Sequence, residues 1–172
     1  MQRRDFLVFG ACGASLALVS LSGCGFALRK APNFAFSTLY SGVAGSSPLG
    51  VELKRALEST GKVKVITDAR RISEAQVVLD VLQDRREKVV LSLNSSGQVR
   101  EFQLRLLFSF RLRTLAGKEL IPASDIALQR DISFNESAVL AKEAEETLLY
   151  RDMQSDVVQQ VLRRLAAVSS LE

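Results

Sequence analysis

From residue 99 onward, apolar and polar side chains alternate almost without interruption. Phe102, Leu104, Leu106, Phe108, Phe110 and Leu112 share one parity. Glu101, Gln103, Arg105, Ser109, Arg111 and Arg113 share the other, with Leu107 the one apolar intruder. A period of two over this length predicts a β-strand with one dry face and one wet face. At about 3.4 Å per residue, the stretch 99–113 reaches roughly 50 Å. Residues 77–93 are also rich in strand formers, with Asp84 to Lys88 as a charged interruption, and Asn94-Ser95-Ser96-Gly97 is a turn signal. Together they predict a long hairpin. Ala116-Gly117 marks the next turn, and Ile126, Leu128, Ile132 and Phe134 alternate as a further strand, with Arg130 on its apolar side.

Two segments carry helical spacing instead. Ala35–Tyr40 predicts a first strand, and a loop rich in Gly and Ser follows from Ser41 to Ser47. Pro48 then suits a first helical turn, Leu49, Leu53 and Leu57 form a stripe, and Gly61 ends it. Val63 and Val65 alternate with lysines as a short strand. Near the C-terminus Asn135 suits an N-cap, and glutamates follow at 136, 143, 145 and 146. Leu140, Ala144, Leu148, Leu149, Met153, Val157, Val161 and Leu165 make a drifting apolar stripe, which core packing explains. A helix over 136–168 is about 50 Å long, the length of the hairpin it would lie along. The expected fold is α+β: an antiparallel or mixed sheet of about four strands, two helices on its apolar face, and a polar face left open.

The first residues have a different character. Arg3 and Arg4 precede an apolar run from Phe6 to Leu21, which ends in Leu21-Ser22-Gly23-Cys24. This is the layout of a secretory signal, short for a membrane span. The closing four residues resemble the lipobox of bacterial lipoproteins, which implies cleavage before Cys24 and a diacylglycerol and an N-acyl chain on it. Gly25 stands where an Asp tends to retain such proteins in the inner membrane, so the outer membrane is expected. Gln2-Arg3-Arg4-Asp5-Phe6-Leu7 also resembles a twin-arginine signal, and both export routes stay open. The expected organisation is a signal peptide over 1–23, a lipidated tether over 24–34, one domain over 35–168 and a short tail over 169–172. No later stretch approaches the ~20 apolar residues a span needs.

Composition narrows the chemistry. The 172-residue chain has no histidine, which excludes Ser-His-Asp and Cys-His catalysis and removes the commonest metal ligand. Its two cysteines, Cys12 and Cys24, fall in the signal and at the lipidation site, so the domain is expected to hold together by packing alone. No Gly-rich phosphate loop is present. A net charge of +4 is mild, unlike that of a nucleic-acid binder. A non-enzymatic protein without a cofactor or metal is expected.

Several motifs in order resemble the LptE family of lipopolysaccharide-assembly lipoproteins. They are Gly23-Cys24-Gly25-Phe26-Ala27-Leu28-Arg29, Ser96-Gly97-Gln98-Val99-Arg100-Glu101-Phe102-Gln103-Leu104, Arg130-Asp131-Ile132-Ser133-Phe134, Leu140-Ala141-Lys142-Glu143-Ala144-Glu145 and Gln160-Val161-Leu162-Arg163-Arg164-Leu165. The resemblance implies an α/β sandwich seated as a plug in the outer-membrane β-barrel LptD, with lipopolysaccharide as ligand and cargo. A barrel interior is wet and polar, so Glu101, Gln103, Arg105, Arg111 and Arg113 are the expected barrel-facing residues. The alternative for that face is plain contact with water. Lys142 occupies the position of the family's ligand-contacting lysine. The family's second cation, just before the hairpin turn, is missing from Asn94-Ser95-Ser96-Gly97. Arg85, Arg86, Lys88 and Arg100 are the candidates to replace it, against the alternative of a solvated charge run. The competing function is a stand-alone lipid-handling lipoprotein of another envelope complex, with acyl chains in an apolar cavity of its own.

Overall fold

The computed structural model describes residues 32–171. The signal peptide, Cys24 and most of the expected tether lie outside the described residues. Strand β1 (Thr38–Ser41) leads to helix α1 (Pro48–Glu58) and strand β2 (Lys64–Ile66). A 3-10 turn (Ala69–Glu74) precedes three long strands: β3 (Val77–Leu93), β4 (Val99–Thr114) and β5 (Glu119–Ser133). A second 3-10 turn (Glu136–Ala138) opens helix α2 (Val139–Ala166). The fold is α+β, and its mixed sheet has five strands in the order β2-β1-β3-β4-β5. β1 runs parallel to both β2 and β3, while β3, β4 and β5 are antiparallel neighbours.

Local chemistry sets the ends of α1. Ser47 Oγ accepts from the Gly50 amide at 3.0 Å, and Pro48 occupies the first turn, where its missing N–H costs nothing. Gly50 is required by space, because a Cβ there would stand 2.3 Å from the Ala44 carbonyl oxygen. The hairpin turn is equally specific: Asn94 Oδ1 accepts from the amides of Ser96 and Gln98, and Gly97 takes φ 78°.

The core lies between the sheet and both helices. Leu104, Leu106, Phe108, Phe110 and Leu112 of β4 are buried there with Leu53 and Leu57 of α1 and Met153, Val157, Val161 and Leu165 of α2. Phe34 and Leu171, expected in tether and tail, also pack into or against this core.

Three expectations need correction. The charged stretch Asp84–Lys88 does not interrupt the strand, since β3 runs through it and pairs with β4 residue by residue. A bulge at Leu82 reverses the phase, so Leu79 and Val81 face the helices before it, and Asp84, Arg86 and Lys88 do so after it. β5 begins at Glu119, ahead of the expected Ile126, and it contains Pro122. That proline is tolerated because β5 is an edge strand. Finally, the apolar stripe of α2 is buried only from Met153 onward, while Leu148 is 59% exposed and Leu140 82%. Under the first half of α2 the sheet offers Lys88 and Arg86 beside Phe102 and Ile132, so polar contacts from Glu146, Tyr150 and Gln154 join the apolar ones there.

Truncating the core and the outer stripe should therefore differ sharply. Phe108→Ala is expected to cost about 3–5 kcal/mol in a urea titration, whereas Leu140→Ala should stay within about 0.5 kcal/mol.

Candidate functional site: a lysine-lined cleft and a polar sheet face

The cleft forms where α2 leaves the sheet. Antiparallel pairing sets Phe102 of β4 against Ile132 of β5, and the Phe102 and Phe134 rings meet edge to face at 5.3 Å. Asn135 Oδ1 accepts from the Ser137 amide and turns the chain into α2. The first turns of that helix then pass over the aromatic pair. The resulting cavity of about 210 Å³ has Phe102, Ile132, Phe134 and Val139 as its apolar wall, with Lys88, Lys142, Glu143 and Glu146 also lining it.

Both lysines have internal partners. Lys142 Nζ donates to Ser133 Oγ at 3.0 Å and to Glu145 Oε2 at 2.8 Å. Lys88 Nζ donates to Glu146 Oε2 at 2.6 Å and stands 4.4 Å from the centre of the Phe102 ring. On the same face of β3, Arg86 donates to Gln154 Oε1 and lies 5.4 Å from the Tyr150 ring. Gln154 is buried and donates in turn to Glu52 of α1, which also accepts from Ser155. The Tyr150 hydroxyl donates to the Glu87 carbonyl at 2.6 Å. Burial pushes that phenol above its usual range, Glu146 adds to the effect and Arg86 opposes it. This polar chain ties α1, α2 and β3 together.

The five expected lipopolysaccharide contacts do not form one cluster. Lys88 and Lys142 share the cleft. Arg86 lies on the same sheet face but is engaged by Gln154. Arg85 pairs with Leu107 on the opposite face and forms an ion pair with Glu87. Arg100 is exposed near the hairpin tip, where its carbonyl accepts from the Phe134 amide.

Glu101, Gln103, Arg105, Arg111 and Arg113 lie together on the face of β4 away from the helices, as the alternation requires. They form a polar surface in three hydrogen-bonded groups. Ser92 donates to Glu101, Arg105 to Gln103, and Gln103 to Asp131 of β5. Asp80, which sequence reasoning missed, accepts from both Arg111 and Arg113 at 2.8 Å. Its signal was a lone carboxylate in the apolar run Val77-Val78-Leu79-Asp80-Val81. Burial pushes the Asp80 carboxyl up, but the hydrogen bonds from Arg113 and Arg111 outweigh it and hold the group below the ordinary carboxylate range. Arg113 is raised in turn by its hydrogen bond to Asp80. Among the described residues, no group of three or more His, Cys, Asp or Glu could hold a metal ion, and no helix is long and apolar enough to cross a membrane.

The sequence model of LptE, described as "Lipopolysaccharide-assembly", matches residues 35–165. The chain belongs to the LptE family. The family's members are non-enzymatic lipoproteins of lipopolysaccharide assembly, and this chain is accordingly an envelope lipoprotein and not an enzyme. It is similar to the LPS-assembly lipoprotein LptE of Pectobacterium atrosepticum, at 27% identity over 90% of this chain and 83% of that protein. Among solved structures, lipoprotein B of Nitrosomonas europaea shares 36% identity, with 83% of this chain and 91% of that chain covered and a TM-score of 0.68. The rare lipoprotein B of Shewanella oneidensis shares the fold, with a TM-score of 0.60 at 24% identity over 76% of this chain and 95% of that chain. The LptE-family assignment therefore spans the sandwich, the polar face and the cleft.

The Asp80 clamp makes a pH prediction. A carboxyl depressed in the folded state adds stability above its unfolded pKa, and that stability is lost as pH falls through the folded value. Asp80→Asn should lower stability by about 1 kcal/mol at neutral pH. It should also reduce the slope of melting temperature against pH on the acid side, read by circular dichroism.

Proposed function

We propose that this chain is the plug and assembly partner of the outer-membrane β-barrel LptD, and that it binds lipopolysaccharide while the complex delivers it to the outer leaflet. The observation that carries this reading is the sheet's two-sidedness. One face is closed by helices over a dry core, and the other presents Glu101, Gln103, Arg105, Arg111 and Arg113 as a polar surface, each with a hydrogen-bond partner. A wall of that kind suits the wet lumen of a large barrel. Lys88 and Lys142 beside an apolar wall suit an amphiphile with anionic groups, since ammonium groups bind phosphate and the aromatic pair accepts hydrocarbon. The LPS-assembly name of the Pectobacterium relative points the same way.

Anchoring completes the reading. Residues 1–23 act as the signal, Cys24 carries the diacylglycerol and N-acyl chains, and the segment from Cys24 up to the core residue Phe34 tethers the domain to the outer membrane. More than one acyl chain is needed for stable attachment. The stand-alone carrier reading needs room for acyl chains between sheet and helices, but fully buried Phe108, Phe110, Leu53 and Met153 occupy that space.

Detergent co-purification of the tagged chain from its native outer membrane should recover a large β-barrel in equal amount. Arg105→Glu with Arg111→Glu should reduce that recovery several-fold, and recovery of the lipoprotein alone from the unaltered chain would overturn the plug reading. Separately, Cys24→Ser should shift the protein from the membrane to the soluble fraction on fractionation.

A further inference from the structure

The cleft has no net charge of its own: Lys88 and Lys142 are balanced by Glu143 and Glu146 along its lining. Its two cations also differ in how they are held. Lys142 donates to Ser133 and to a half-exposed Glu145, whereas Lys88 lies between the Phe102 ring and Glu146, whose side chain is only 24% exposed. Glu146 is held there by the fold. It lies one helical turn before Tyr150, whose hydroxyl pins α2 to the Glu87 carbonyl, the residue next to Lys88. The pairing is therefore built into the helix–sheet contact.

We infer that Glu146 is an internal counter-ion that determines the specificity of this cleft. It holds Lys88 until a phosphate of lipopolysaccharide displaces it. A phosphate group brings more charge and more acceptor oxygens than a carboxylate, so it wins the exchange. A lipid that offers less than Glu146 does not, and the pair rejects it. The inference rests on the cleft being the lipopolysaccharide site. It adds that a carboxylate within the site sets the threshold for entry.

The test titrates labelled lipopolysaccharide into the full-length lipoprotein in neutral detergent, with folding checked by thermal midpoint. Glu146→Gln should bind about three- to tenfold tighter than the unaltered chain, and Glu146→Ala should move the same way. Asp156→Asn removes a charge from the same helix at its ion pair with Arg130, outside the cleft, and should stay within about twofold because salt screens it. In a Lys88→Met background, Glu146→Gln should give no gain, since the two residues act as a pair. No tightening in Glu146→Gln, or equal tightening without Lys88, overturns the counter-ion role. The site reading fails separately, if Lys142→Ala and Lys88→Met both bind lipopolysaccharide as the unaltered chain does.

Discussion

The dry face of β4 is the constraint on which the remaining structure depends. Leu104, Leu106, Phe108, Phe110 and Leu112 are each at most 1% exposed, so one strand supplies an unbroken apolar ridge through the middle of the sheet. Two helices must cover that ridge, because leaving five such side chains in water would cost roughly 10 kcal/mol. With the helices committed to one side, the opposite parity of β4 has to be polar. The barrel-compatible surface and the sealed core are thus two consequences of a single alternation.

The same ridge explains where the cleft forms. α2 is buried from Met153 onward, where it packs over β4 and β5, and the bulge at Leu82 turns charged β3 side chains toward its earlier turns. Beyond it the helix-facing positions of β3 are Asp84, Arg86 and Lys88, followed by Val90. The helix spans this region on hydrogen bonds and ion pairs, through Gln154, Tyr150 and Glu146. A helix held off an aromatic floor by charged pairs leaves space, and the cavity beside Phe102 and Phe134 is that space.

Much of this was legible in the residues. The β4 alternation, the Asn94–Gly97 turn, the Leu49-Leu53-Leu57 stripe and the polar quintet on β4 all follow from periodicity, and the structure has them in place. What escaped was set by neighbours. The bulge at Leu82 leaves no local mark, so Asp84–Lys88 read as an interruption when it is a phase change. The alternation of the last strand is clear only from Ile126, while β5 begins at Glu119 and carries Pro122 at the sheet edge. Leu140 and Leu148 have core spacing, but both stay exposed. At the site, Lys142 was identified through resemblance. Its nearness to Lys88 depends on β3 and α2 meeting across the sheet, and no local pattern encodes that.

The most direct measurement is site-specific photo-crosslinking in growing cells, with a photoreactive residue at Arg105, Arg111, Val139 or Phe134. The plug and ligand assignments require Arg105 and Arg111 to capture a large β-barrel protein, and Val139 and Phe134 to capture lipopolysaccharide. Barrel adducts absent from the sheet face, or lipopolysaccharide adducts absent from the cleft while other surfaces yield them, would contradict the central claim.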